Sequence, residues 1–470
     1  MSSLIPKHSG LYTDLYELTM AQGYFLTRAQ DQPACFDYFF RDNPFKGGYV
    51  VFAGLGDLLS ALEEFSFGEE DLAYLRKLGF KDPFLQFLKG FRFKGRIHSV
   101  REGEVIFPLE PVLRVEGTLL ETQLIETLLL NFINFESLIA TKASRMVLAA
   151  QSRRVVDFGL RRAQGLAGLQ ASRAACVGGI EATSNVMASL LYSLTPSGTQ
   201  AHAWIQGYAD ELTAFRKFAE IYPNQCVLLV DTYNTLKSGV PNAITVAKEM
   251  EQRGGKLTGI RLDSGDLAYL SKRARVMLDE AGLHGVKIVV SNQLDEHIIK
   301  SLLDQGAPIN AFGVGTNLVT GQDTPALDGV YKLNQLDGRP RLKISENMAK
   351  TSLPGVKKIV RYVDPEGFFY ADGILLEDEK SAEYIHHPFS PGQKSRVAHC
   401  FPESILFKVM EGGKASPQPT AQEAAAYAKE RLAKLSPERK RFENPHVYKV
   451  GLSQKLMELR DELIRQYQKP

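Results

Sequence analysis

The chain has 470 residues, 44% of them hydrophobic and 23% charged, the balance of a soluble globular protein with room for two or three cores. Its 56 Lys and Arg against 54 Asp and Glu leave a net charge of +2, which gives no general reason to expect nucleic acid or an acidic membrane as partner. The opening MSSLIPKHSGLYTD lacks the apolar core of a secretory signal, and Thr127–Ala140 is too short and too polar to span a bilayer. The four cysteines, Cys35, Cys176, Cys226 and Cys400, show no metal-type spacing, so a cytoplasmic enzyme with reduced thiols and no structural zinc is expected.

In chain order, Asp14–Gln30 has apolar residues at helical spacing behind Asp14 as N-cap. Residues 36–55 and 96–117 carry strand signals punctuated by Gly and Pro. Thr118 and Glu121 form a capping box that starts a long helix reaching about Ala150. Apolar runs ending in polar residues then recur: Arg154–Gly159, Val227–Tyr233, Gly259–Asp266, Lys287–Leu294 and Ile309–Gly315, with Gly198–Ile205 a less apolar sixth. Their lack of in/out alternation suits strands buried on both faces, and their spacing of roughly thirty residues suits strand–helix units. After residue 330 come two hairpins, turning at Asp337-Gly338 and near residues 364–367. Helical patterns over 420–434 and 452–466 follow, and the Lys434–Arg441 charge run reads as a solvated surface.

Polar groups at the carboxyl ends of parallel strands gather at one mouth. Asp157, Arg161, His202, Asp231, Arg261, Asp263, Asn292 and Gly315 are therefore expected to share a pocket. Phe158, Arg161 and Arg162 suit either a flat anion, ring on face and guanidinium on carboxylate, or a structural Arg–Asp pair beside a core Phe. In Arg261–Asp266 a cation, two carboxylates beyond it and a Gly suit magnesium, ribose hydroxyls or a developing positive charge, or else a plain capped turn. Gly313 and Gly315 let backbone N–H groups approach a phosphate ahead of a helix at Thr316. His202, among small hydroxylated neighbours, reads as an acid/base, a nucleophile toward phosphorus, or a structural histidine.

Several long motifs in order identify a resemblance. LYTDLYELTMAQGY at Leu11–Tyr24, DFGLRRAQG at Asp157–Gly165, GTQAHAW, DTYNTLKSGVPNA at Asp231–Ala243, GIRLDSGDL and FGVGTNLVT at Phe312–Thr320 resemble the nicotinate phosphoribosyltransferase family. GVYKL at Gly329–Leu333 and NPHVYKVGLS at Asn444–Ser453 extend the resemblance over nearly the whole chain. It implies an irregular α/β (TIM-like) barrel at 151–330, beside an α/β sandwich domain built from 1–150 and completed by 331–470 with terminal helices. It implies an enzyme that makes nicotinate mononucleotide from nicotinate and 5-phosphoribosyl 1-pyrophosphate in NAD salvage, with Mg2+ and with ATP as co-substrate. Phe158 and Tyr16 would sandwich the pyridine ring, Tyr16 arriving from the neighbouring subunit of a homodimer. Arg261, with Arg161 and Thr199 close by, would bind the carboxylate. Asp231 and Asp263 would face the ribose and magnesium-bound pyrophosphate, while Asn292, Gly313, Gly315 and Thr316 would hold the 5-phosphate. His202 matches the histidine that ATP phosphorylates. Glu181 stands where the family more often has Asp. The alternatives are a nicotinamide or quinolinate phosphoribosyltransferase and a non-catalytic sugar-phosphate binder, against which His202, Arg261 and Asp263 stand together.

Overall fold

Six short segments between residues 154 and 314 pair side by side, all in parallel, in a computed structural model that describes residues 8–346, 351–390 and 392–467. They are β1 (Arg154–Asp157), β2 (Ala182–Thr183), β3 (Val227–Leu229), β4 (Gly259–Leu262), β5 (Lys287–Ser291) and β6 (Ala311–Val314). Their order across the sheet is β2-β1-β6-β5-β4-β3. Each strand thus lies beside its neighbours in sequence, and the last lies beside the first. Only β2 and β3 remain unpaired to one another, so no closed barrel is found where the resemblance implies an irregular α/β (TIM-like) barrel.

The opening falls at the weakest of the expected strands. Gly198–Ile205 is not a strand: Pro196 makes a single bridge to Thr183, and from His202 the chain turns into a short helix, His202–Gln206. Trp204 and Ile205, read as strand residues, are helix residues whose apolar atoms pack inward from that helix, Ile205 being fully buried.

Helices Ala167–Val177, Val240–Gln252, Leu267–Glu280 and Glu296–Asp304 link the other strands. Before Val240 the chain makes one π-type turn, Thr235–Gly239. A Cβ on Gly239 would lie 1.8 Å from the carbonyl oxygen of Val230, so only glycine lets this turn close onto the strand end that carries Asp231.

The chain divides into two compact units, Lys142–Pro325 and a second formed by Met1–Thr141 with Ala326–Pro470. In the second, Pro33–Phe40 lies between Gly329–Leu336 and Leu113–Thr118 in a seven-stranded sheet. The Asp337-Gly338 turn joins Gly329–Leu336 to Arg339–Pro340, with φ of 50° and 71°, the conformation a tight hairpin requires. A further sheet contains the expected hairpin of Lys357–Val363 and Phe369–Leu376. The Thr118/Glu121 capping box is present, but the helix it starts stops at Leu124, and a separate helix runs Glu126–Ala150. The first helix spans Leu15–Leu26, four residues short of its expected end, and Asp14 precedes it without a side-chain cap. The C-terminal helices are Ala421–Ala433, with a Thr420/Glu423 capping box, and Gln454–Tyr467. Among the described residues no helix is long and apolar enough to cross a membrane.

Candidate active site

Side chains two apart on a strand point to the same face, so Arg261 at the end of β4 and Asp263 just beyond it share one side. In the parallel register Val289 of β5 lies opposite Arg261, which brings Ser291 opposite Asp263. These three residues form a closed ring of hydrogen bonds. Arg261 Nε donates to Ser291 Oγ at 2.9 Å and Nη2 donates to Asp263 Oδ1 at 2.8 Å. Ser291 Oγ in turn donates to the same Asp263 oxygen. Arg261 Nη1 reaches Thr199 Oγ1 at 3.3 Å.

Phe158 lies beside this ring, with the Arg261 guanidinium carbon 5.2 Å from its ring centroid. Gly313 makes room for it: a Cβ there would meet the Phe158 ring at 2.4 Å. Gly313 is thus glycine for the sake of the aromatic ring, whatever it does for a phosphate. Gly315 is different, since a Cβ there would meet only ordinary contacts, the nearest at 3.5 Å. Asp157 is a support for the loop. Its carboxylate is buried and accepts from Gly159 N (2.7 Å), Ser172 Oγ (2.8 Å) and Thr183 Oγ1 (2.7 Å).

His202 opens its helix with Nδ1 3.0 Å from Thr232 Oγ1 and Nε2 3.8 Å from Asp263 Oδ2. Asp263 therefore divides its carboxylate, one oxygen toward Arg261 and the other toward His202. Asp231 Oδ2 accepts from Asp263 N at 2.8 Å and from Ser264 Oγ at 2.6 Å. Its Oδ1 is buried and has no hydrogen-bond partner among the described residues. Two residues beyond His202, Trp204 anchors the helix by donating Nε1–H to Ala214 O at 3.1 Å.

The cluster thus brings together Phe158, Thr199, His202, Asp231, Arg261 and Asp263. Arg161, on the short 3-10 turn Leu160–Arg162, and Asn292 are exposed, and among the described residues no hydrogen bond ties either to it. Their expected place in one pocket is therefore not reproduced by contacts. Asn292 has φ 90° and Gln293 φ 50°, so the chain turns sharply as it leaves β5. Thr316 starts a helix of four residues, Thr316–Val319. Glu181 is exposed and stands 3.7 Å from Arg154. Tyr16 belongs to the other unit, 48% exposed on its helix. Ser291 and Thr232 escape a reading by motif. Ser291 becomes visible only when β4 and β5 are set in parallel register, and Thr232 only as the neighbour of Asp231.

Three family descriptions match the sequence: the nicotinate phosphoribosyltransferase N-terminal domain at residues 11–134, the family itself at 153–393, and its C-terminal domain at 356–460. The chain belongs to the nicotinate phosphoribosyltransferase family. Nicotinate phosphoribosyltransferase of Bacillus subtilis is 44% identical over 456 residues, spanning 94% of this chain and 93% of that protein. The crystal structure of human nicotinic acid phosphoribosyltransferase superposes with a TM-score of 0.86 at 31% identity, covering 96% of this chain and 99% of the human one. A nicotinate-nucleotide pyrophosphorylase from Pyrococcus furiosus, 24% identical with a TM-score of 0.72 over 91% and 95% of the two chains, shares the fold.

Proposed function

We propose that the chain joins nicotinate to 5-phosphoribosyl 1-pyrophosphate, giving nicotinate mononucleotide and pyrophosphate in NAD salvage, with ATP hydrolysis coupled through phosphorylation of His202. One observation carries this reading: a guanidinium oriented by its neighbours beside an aromatic ring. A guanidinium has five N–H donors, and Ser291, Asp263 and Thr199 engage one each. Two remain for a carboxylate on a flat ring stacked against Phe158. A neutral amide would answer the Arg261 charge less well, which favours nicotinate over nicotinamide.

The ring nitrogen of nicotinate attacks the anomeric carbon as the bond to pyrophosphate breaks. The ribose gains oxocarbenium character, and Asp263, already set between Arg261 and His202, lies in the cluster to stabilise it. Gly315, whose bare Cα no protein contact demands, leaves room with Thr316 for the 5-phosphate, and Asn292 and Arg161 line the adjoining loops.

A hard cation suits the donor set. Asp231 Oδ1 is a buried carboxylate oxygen with no partner among the described residues, and magnesium held largely by phosphate oxygens needs only one or two carboxylates. Asp231, with Asp263 Oδ2, would hold it, and bound there it would supply countercharge to the leaving pyrophosphate. In the ATP half-reaction His202 takes the γ-phosphoryl group, releasing ADP, and water later removes it. Thr232 holds the imidazole through Nδ1, which leaves Nε2 as the nucleophile. Phosphorylation adds about two negative charges beside Asp231 and Asp263, enough to reorganise pyrophosphate binding.

The family resemblance further supports a cytoplasmic homodimer in which Tyr16 of a second copy covers the base. Mixing Tyr16→Ala with Arg261→Ala subunits would then restore about a quarter of the activity, since half the dimers have one intact site of two. The deciding assay is product formation from nicotinate, nicotinamide or quinolinate with phosphoribosyl pyrophosphate, with and without ATP. Nicotinate turnover stimulated by ATP is expected. His202→Ala should lose ATP hydrolysis and keep weak, ATP-independent synthesis; undiminished hydrolysis would remove His202 from this role.

A further inference from the structure

We propose that Ser291 is the positioning residue that sets Arg261 for carboxylate recognition, an inference that rests on the nicotinate reading of the site. Ser291 is the last residue of β5 and is 2% exposed. Its hydroxyl accepts the Nε–H of Arg261 at 2.9 Å and gives its own proton to Asp263 Oδ1. A hydroxyl has one proton and two lone pairs, so it can meet a cation and an anion at once. Alanine can do neither.

The consequence is a fixed guanidinium plane. Without Ser291, Asp263 and Thr199 would hold Arg261 only through its two terminal nitrogens, leaving the Nε corner unfixed. With Nε fixed as well, Ser291 and Asp263 hold two corners of the guanidinium from the same edge. The donors not engaged there belong to the terminal nitrogens and stay aligned beside the Phe158 ring, 5.2 Å from the guanidinium carbon. The opposite neighbour of Ser291 is Gly313, the glycine that admits that ring. Ser291 thus stands in one row across the sheet between the carboxylate that pairs the arginine and the gap that seats the aromatic.

The test uses the full-length protein with Ser291→Ala, Ser291→Cys and Ser291→Thr. The Cys variant keeps the volume and loses a strong hydrogen-bonding group, while Thr keeps the hydroxyl. Loss of a hydrogen bond to a charged group should raise the KM for nicotinate about tenfold in Ala and Cys. The KM for phosphoribosyl pyrophosphate and kcat, to which Ser291 bears only through Asp263, should change several-fold less than the nicotinate KM, and Thr should recover most of the nicotinate affinity. The preference for nicotinate over nicotinamide should fall in Ala and Cys and return in Thr. An unchanged nicotinate KM in Ser291→Ala, an equal loss in both KM values and kcat, or no recovery in Thr would overturn the proposal. If the wild type binds nicotinate without turning it over, the functional reading fails by itself. Calorimetric titration with nicotinate then decides the proposal: weaker binding by Ser291→Ala sustains it, and equal binding overturns it. A wild type that binds no nicotinate overturns both.

Discussion

Two arginines organise polar clusters in this molecule, and they are surrounded in opposite ways. Arg361, in the unit containing both termini, is fully buried, and four of its five N–H donors are engaged by protein groups. It pairs with both oxygens of Asp372, reaches Glu104 at 2.5 Å and Val105 O at 2.7 Å, and lies over the Phe369 ring at 4.4 Å. Arg431 and Tyr427 complete Glu104, and Tyr448 completes Asp372. Burial pushes the Glu110 carboxyl beside them well above the usual carboxylate range, with the Asp372 charge adding to the effect. Burial also acts against Asp372, but the Arg361 guanidinium and its hydrogen bonds hold it ionised and below its ordinary value. Arg261, by contrast, sits at a strand end with two donors to spare, in a cluster that also holds an Asp231 oxygen without a partner among the described residues. A closed network holds a fold together; one with valences left over is built to be completed by something else.

That contrast can be broken by substitution. Removing one partner of a buried ion network leaves the others uncompensated, which typically costs about 3–5 kcal/mol. Arg361→Leu should lose stability on that scale in urea unfolding, and a loss below about 1 kcal/mol would show that the network is not a structural one. Arg261→Ala should do the reverse. It should raise the nicotinate requirement by about 30-fold or more, for an Arg–carboxylate pair worth roughly 2–5 kcal/mol, and shift the urea midpoint little. A large stability loss with an unchanged KM would make the two arginines alike.

A smaller effect tests a third group, Glu17, which is buried against Gln123, the amide donating at 2.6 Å. Burial pushes its carboxyl up to about 7, against the opposing pull of that hydrogen bond. In the unfolded chain it would ionise near 4.5. Between these values the folded state keeps a proton that the unfolded state gives up, so stability falls as pH rises from about 4.5 to about 7 and levels off above. Glu17→Gln should remove this contribution. Its melting temperature should match the wild type near pH 4.5 and exceed it at pH 8; no gain at pH 8 would mean that Glu17 ionises without penalty.

How much of this is legible in the sequence depends on the range of the interaction. The ends of β1, β3, β4, β5 and β6 stand out because buried strands are apolar runs, and runs that stop in Asp, Arg or Ser, or in glycine for β6, mark their mouths. The capping boxes at Thr118 and Thr420 and the turn at Asp337-Gly338 are local hydrogen-bond and φ requirements, so they too can be read in place. The opening between β2 and β3 cannot. Ala201, Trp204 and Ile205 are apolar at strand or helix spacing over so short a stretch, and tertiary packing decides between them. Ser291 is likewise an ordinary strand residue until its register against Asp263 is known. Arg161 and Asn292 show the converse: proximity in sequence to a site residue does not bring a side chain into hydrogen-bond contact with the rest.

The order in which the segments of the larger sheet are joined also sets a timetable. Pro33–Phe40 is a central strand with Leu113–Thr118 on one side and Gly329–Leu336 on the other. On a ribosome adding about 5–20 residues per second, the second neighbour emerges some tens of seconds after the first. Throughout that interval the strand has an unpaired edge, while Lys142–Pro325, continuous in the chain, acquires all six of its parallel strands before it ends. Nascent chains arrested with residue 325 just clear of the ribosome should therefore resist protease within 142–325 and be cut within 1–141. Protection of both regions at that length would mean that the early strands find a temporary cover of their own.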